Sequence, residues 1–186
     1  MTSVGGDAVS ISTVGVADHE ADLEKLFREY HEWNKQEVKE AIGGGPTSTA
    51  DIEAGYNIQA MIADDFEYLH ESASGKLLVA HDGGCLLGCV YLRQMSPNAA
   101  EVRRLFVRPP ARGQRLGRRL METLMDTATA EDYERVLLNT GPHTEVAQML
   151  YTDLGFEPTE PYESEIPDAV HDNWHFMELT LERDRV

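Results

Sequence analysis

Nineteen residues, Glu101 to Arg119 (EVRRLFVRPPARGQRLGRR), gather most of the charged chemistry of this chain. Seven of its twelve arginines fall between Arg103 and Arg119, and no acidic residue lies between Glu101 and Glu122. In a chain of formal charge -17 this is a concentrated positive island. The run opens with apolar alternation, halts at Pro109-Pro110, and passes Gly113 and Gly117 into helical periodicity. A strand, a Gly/Arg turn and a helix start make an anion site. Backbone N–H groups point outward at the helix N-terminus, its dipole favours negative charge, and arginines neutralise phosphates. Covalent chemistry is poorly provided for, with no convincing Ser/His/Asp or Cys/His set. His171 and His175 flank Trp174 without a suitably spaced Cys or carboxylate, so no metal is expected. His143 follows Gly141-Pro142 at a helix start and reads as a loop residue.

The elements that must position this island follow from pattern. Val9–Val14 alternates and predicts a strand. Asp18 is placed to cap a helix whose apolar side is Leu23, Leu26, Phe27, Tyr30 and Trp33, ending before Gly43. A second helix is expected from Thr49 to about Asp64. Asp82-Gly83 between the runs 76–81 and 85–93 predicts a β-hairpin. Ala100–Val107 is the next strand, and the double proline must end it. Leu116, Leu120, Leu124, Met125 and Ala128 mark a helix to about Ala130. Arg135–Thr140 is nearly continuously apolar and reads as a central strand. Residues 143–154 are expected to be helical with Gly155 as C-cap. Phe156 begins a short strand, 158–173 is an acidic, proline-containing loop, and 175–181 closes the sheet. The order predicts one mixed α/β (α+β) domain over 9–186, with a mostly antiparallel sheet of six to seven strands and about four helices. Residues 1–8 read as a loose tail.

Composition bounds the function. At 186 residues and 41% apolar content the chain can bury a substantial core. No apolar run approaches the roughly 18–20 residues of a membrane span, and the N-terminus lacks the pattern of a secretory signal. Cys85 and Cys89 read as small, mostly buried residues in a reducing cytoplasm. With 33 acidic residues against 16 basic ones, general nucleic-acid binding is disfavoured. Only four of the basic residues are lysine. Such an acidic, lysine-poor surface is like that of proteins from a high-salt, halophilic cytoplasm, a reading that full stability in low salt would remove.

Three motifs in order then carry a resemblance. Leu105-Phe-Val-Arg-Pro109 runs into Arg112-Gly-Gln-Arg-Leu-Gly117. Ala147-Gln-Met-Leu-Tyr151 leads to Leu154-Gly-Phe156. Phe176-Met-Glu-Leu179 closes the chain. Together they resemble the GNAT superfamily of acyl-CoA-dependent N-acyltransferases over nearly the whole chain. The resemblance implies that strand 102–107 splays from its neighbour and pairs with the pantetheine arm of acetyl-CoA near Leu105, Phe106 and Val107. It implies that the amides of Arg112, Gly113, Gln114, Arg115, Leu116, Gly117 and Arg118 hold the pyrophosphate. Arg115 departs from the family pattern, which has glycine there, so Arg115 must either keep a helical φ or widen the loop.

Acyl transfer to an amine needs a base and a proton for the leaving thiolate. Glu101, at the start of the strand with the CoA contacts, is the candidate base. Tyr151 matches the family tyrosine that protonates the CoA sulfur. A backbone N–H near Val107 would polarise the thioester. Tyr30, Trp33 and Tyr162 are candidate acceptor-side residues, with Tyr56 and Trp174 also available. The acids Glu157, Glu160, Glu163, Glu165, Asp168 and Asp172 could attract a cationic amine, or simply belong to an acidic surface. The expected function is therefore direct acetyl transfer to a primary amine of a small molecule or peptide. A non-catalytic acyl-CoA-binding or sensing domain is the alternative. A homodimer is an expectation carried by the resemblance alone. Dinucleotide binding is weaker still, since no Gly-x-Gly-x-x-Gly follows the first strand.

Overall fold

The structure is a computed structural model that describes residues 9–43, 45, 47–71, 76–167 and 169–181. The expected tail at 1–8 and Asp168 lie outside the described residues. Seven strands form one sheet: β1 (Ser10–Thr13), β2 (Lys76–His81), β3 (Leu86–Ser96), β4 (Ala99–Val107), β5 (Arg135–Thr140), β6 (Glu157–Pro158) and β7 (His175–Thr180). The helices are α1 (Glu20–Ile42), α2 (Thr49–Gly55), α3 (Ile58–Glu71), α4 (Leu116–Ala130) and α5 (Glu145–Asp153). Strand order is β1-β2-β3-β4-β5-β7-β6, antiparallel throughout except for β4 with β5. No helix among the described residues is long and apolar enough to cross a membrane.

Period-two alternation builds two cores, one on each face of the sheet. In β2, Leu77 and Val79 join Leu23, Leu26, Phe27 and Ile62 of α1 and α3. Leu78 and Ala80 face the other way, onto Leu116, Leu120, Met121 and Leu124 of α4. Each such side chain, fully buried, stabilises the fold by roughly 1.5–3 kcal/mol. A small third cluster, Val38, Ile52, Tyr56 and Val170, ties α1 and α2 to the acidic loop.

Several boundaries correct the sequence reading. His19, not Asp18, is the N-cap of α1, because Val16–Asp18 forms a single 3-10 turn that carries Asp18 past the capping position. The second expected helix is two, α2 and α3, parted at Tyr56 and Asn57. Tyr56 is drawn into the third cluster with a non-helical backbone, while the Asn57 side chain accepts from Ala60 N at 3.2 Å and starts α3. Cys85 is exposed in the hairpin turn, where its N–H donates to Asp82 Oδ1 at 3.2 Å; only Cys89 is buried.

Candidate active site

Strands β4 and β5 pair for only three residues, Ala99↔Arg135 to Glu101↔Leu137, and then part. Val102–Val107 of β4 continues against β3 alone, so its other edge is unpaired within the sheet. The opening widens into a cavity of about 770 Å³ lined by β4, the end of β5, the start of α4, α5 and α1.

The turn into α4 is built for orphan donors. Gly113 (φ +80) and Arg115 (φ +58) both take left-handed backbone. Arg115 thus keeps the conformation that glycine favours, rather than the helical φ or widened loop expected of a side chain there. The first intrahelical bond runs from Arg119 N to Arg115 O at 3.0 Å, leaving the N–H groups of Leu116, Gly117 and Arg118 without intrahelical acceptors. Side-chain capping and first-turn acids are both missing at this end among the described residues. A Cβ on Gly117 would meet nothing closer than Leu150 Cδ2 at 3.8 Å, so the packing of the protein does not demand glycine there. Arg112 is the exception in the loop. Its N–H bonds Pro109 O at 3.2 Å, Nε bonds Val107 O at 3.0 Å, and its guanidinium lies over Trp33 and Phe106 at 5.2 and 5.9 Å.

The arginine island is split. Arg108 pairs with Glu29 and Leu86 O, and Arg103 and Arg104 are held by internal carboxylates. Arg118 has exposed partners in Glu122 and Asp153, and Arg115 is exposed. The inner three thus have carboxylate partners inside the fold, and the exposed part of the island narrows to the loop.

Tyr151 lines the cavity from α5. Its placement follows from the helix end. Phe156 N bonds Tyr151 O and Gly155 N bonds Thr152 O, both at 3.0 Å, with Gly155 at φ +92: a Schellman motif whose usual apolar contact is here the Tyr151–Phe156 ring pair at 6.0 Å. Burial pushes the Tyr151 hydroxyl well above the usual phenol range, so it stays protonated and able to donate.

Glu101 is neither exposed nor part of the cavity lining; it is 1% exposed. Arg103 Nη1 donates to Oε2 at 2.7 Å, while Asn139 Nδ2 and Tyr162 Oη donate to Oε1 at 2.8 and 2.9 Å. Tyr162 is committed to that carboxylate and to the Phe176 ring, and is absent from the lining. Leu105, Phe106, Val107, Tyr30, Trp33, Tyr56 and Trp174 do line it. Gln114 does not.

Sequence reading gives no site role to three cavity residues, His143, Asn34 and Arg104, whereas Glu165 is among the acids it offers to a cationic amine. His143 donates through Nε2 to Asn34 Oδ1 at 2.8 Å, sits between Trp33 and Trp174, and is no mere loop residue. Burial lowers its pKa to about 4, so the ring is neutral at physiological pH. Asn34 Nδ2 also reaches Tyr56 Oη at 3.2 Å. Arg104 and Glu165 complete the set. Behind Arg104, Asp65 accepts from Arg104 Nε (2.8 Å), Tyr91 Oη (2.6 Å) and His31 Nε2 (3.3 Å); Asp65, Tyr91 and His31 are fully buried. Burial alone would raise the Asp65 pKa, but the Arg104 charge and these hydrogen bonds hold it well below the carboxylate range. Burial lowers the pKa of His31. The one visible signal for this cluster was the pair Arg103-Arg104 inside an otherwise apolar strand.

The family model described as the acetyltransferase (GNAT) family matches residues 22–156, well over half of the chain. The chain belongs to the GNAT family. As a GNAT protein it is an acyltransferase, and its relatives agree. It is 36% identical over 107 residues to an IAA acetyltransferase of Azospirillum brasilense, covering 57% of this chain and 68% of that one. It is 37% identical over 100 residues to an uncharacterised N-acetyltransferase of Schizosaccharomyces pombe, covering 52% of this chain and 61% of that one. Among solved structures, the PaiA N-acetyltransferase of Thermoplasma acidophilum in complex with coenzyme A superposes with a TM-score of 0.65 at 17% identity, over 94% of this chain and 99% of that one. At that identity the likeness is one of GNAT fold.

Proposed function

We propose that this protein transfers an acetyl group from acetyl-CoA directly to a primary amine. The observation that carries the reading is the juxtaposition in one cavity of the unpaired β4 edge, the orphan Leu116–Arg118 amides and Tyr151. The free amides and the helix dipole suit a pyrophosphate. Gly117 supports the fit: no protein atom needs that space, whereas a phosphate approaching the backbone does. The coenzyme A held by the Thermoplasma relative belongs to the same ligand class.

In the transfer, the neutral amine nitrogen attacks the thioester carbon. The carbonyl oxygen gathers negative charge near the Val107 backbone, the C–S bond breaks, and the sulfur takes a proton. Tyr151, protonated by virtue of its burial, supplies that proton, and the proton that the attacking nitrogen gives up on becoming an amide restores the Tyr151 hydroxyl through solvent. Glu101 serves this reaction as a positioning residue. Both its oxygens are engaged, and its link to the site is Asn139, which lines the cavity. No covalent enzyme intermediate is required, since amine and thioester meet in one space.

Tyr151→Phe tests the assignment. It removes the proton source and preserves the ring contact with Phe156, so turnover should fall by roughly 10²-fold or more with acetyl-CoA affinity nearly unchanged. Thiol release followed alongside calorimetry separates the two quantities. Wild-type turnover in this variant would end the role of Tyr151.

A further inference from the structure

Arg104 stands where the sheet is irregular. Tyr91 pairs with Arg103 and Cys89 with Phe106, so Arg104 and Leu105 together oppose the single residue Val90. This is a β-bulge, a device that re-aims side chains, and Arg104 carries it at φ +56. A glycine would sit there without strain; the residue present is an arginine. Neighbours in a regular strand face opposite sides, yet both arginines reach Glu165. Arg103 Nη2 donates to Oε2, and Arg104 Nη2 stands 3.7 Å from the same oxygen.

The Arg104 side chain is 9% exposed. Asp65 takes Nε at 2.8 Å and the Tyr30 ring lies 5.7 Å from Cζ, but Nη2 has no hydrogen-bond partner among the described residues. Arg104, Tyr30, Tyr56 and Glu165 all line the cavity. A buried guanidinium N–H left unmade is a cost unless something else meets it.

Charge narrows what that is. Arg93, Arg103 and Arg104 face Glu101, Asp65 and Glu165, three of each sign. Glu165, the loop carboxylate best placed to greet a cation, is already engaged by Arg93 and Arg103. This cluster has no spare carboxylate for a second cationic centre on the acceptor. What it lacks is an oxygen.

We infer that Arg104 reads the acceptor: its guanidinium receives a carbonyl-type oxygen, carboxylate or amide, carried within a few bonds of the acceptor amine. Resting on the acetyl-transfer reading, this assigns the substrate class to amino acids, their amides or peptide amino ends, and away from simple alkylamines. Arg104 lies three residues from Val107, about 10 Å along the strand, so one acceptor can span from thioester to guanidinium.

Three acceptors with one side chain test it on the full chain: phenylalanine, phenylalaninamide and phenethylamine, which lacks the carbonyl. Their ring suits a cavity walled by Trp33, Tyr56 and Trp174. Wild-type kcat/KM should favour the better of the first two over phenethylamine by about 10-fold or more, and their own ratio tells carboxylate from amide. Arg104→Lys keeps a cation opposite Asp65 and removes the forked N–H, so it should collapse the preference, lowering kcat/KM for phenylalanine or phenylalaninamide by about 10-fold more than for phenethylamine. Equal wild-type rates, or losses in the variant shared by all three acceptors, would overturn the assignment. Calorimetric titration of the wild-type protein with the same three compounds, run without CoA, reads the preference even if the variant does not fold. Binding that is equal for all three, or absent for all three, also overturns it. Failure of acetyl transfer itself would appear separately, as no thiol release with any amine and no acetyl-CoA binding.

Discussion

Arg104 and Arg115 lie eleven residues apart in one strand–loop–helix unit and share a left-handed backbone, φ +56 and +58. For a residue with a Cβ, that conformation costs roughly 1–2 kcal/mol. At Arg104 the side chain is buried and bound into a network that joins β4 to Asp65 of α3, and through it to His31 of α1 and Tyr91 of β3. At Arg115 the side chain is exposed, and the strained backbone serves to turn the chain so that the next three amides point outward. One site uses the side chain and tolerates the backbone; the other uses the backbone and carries the side chain. The same contrast separates the Arg104 side of the cavity, made of interlocked charges, from the loop at the start of α4, made of unclaimed donors.

Removing Asp65 should break the first site with the largest effect in the molecule. Asp65→Ala leaves the Arg104 guanidinium buried without its counter-charge, and strips the acceptor from Tyr91 and His31. A loss of roughly 3–5 kcal/mol is expected, a large fraction of a typical domain stability of about 5–15 kcal/mol. Urea unfolding measures it. A loss under about 1 kcal/mol would mean that the buried charges do not hold this side together, and the contrast would fail.

The donor loop should respond in the opposite sense, losing ligand rather than stability. In Gly117→Glu, the open space beside Cβ admits the side chain, so the fold should survive nearly intact. The added carboxylate then lies among the orphan amides and opposes phosphate. Acetyl-CoA affinity should fall by ~100-fold, equivalent to about 2.7 kcal/mol. Calorimetry together with thermal unfolding reads both sides of the contrast, and unchanged affinity would remove the loop from the acetyl-CoA site.

The open loop was legible in the sequence and the Asp65 network was not, for a physical reason. A loop that leaves backbone N–H groups open announces itself by glycines, a helix start and local charge, all contiguous in Leu105–Gly117. The strands and helices were legible on the same basis, since hydrophobic periodicity is local. The Asp65 network draws single residues from α1, α3, β3 and β4, and spacing along the chain has no access to such a meeting. Arg115 was misread because sequence says where a side chain sits, not which φ the turn imposes. Glu101 was read as a strand-end base because its partners, Asn139 and Tyr162, are 38 and 61 residues away. His143 was set aside for the same reason; the partner that brings it into the cavity is Asn34, 109 residues earlier. The seven arginines looked like one island because proximity in sequence hides that Arg103, Arg104 and Arg108 point to carboxylates inside the fold.

The smallest effect makes the sharpest use of the comparison. Arg115→Gly relieves left-handed strain of roughly 1–2 kcal/mol, but gives back about 0.4–1 kcal/mol through the freer unfolded chain. The net is a gain of up to about 1.6 kcal/mol, visible as a raised Tm. The Leu116–Arg118 amides remain in place, so acetyl-CoA affinity should drop only by the modest amount that one exposed guanidinium can contribute beside a phosphate. The same change at Arg104 relieves the same strain and yet should destabilise, because Asp65 then lies buried without its cation. Glycine at 115 lowering stability by more than about 1 kcal/mol would show that the Arg115 side chain, and not only its backbone, builds the turn.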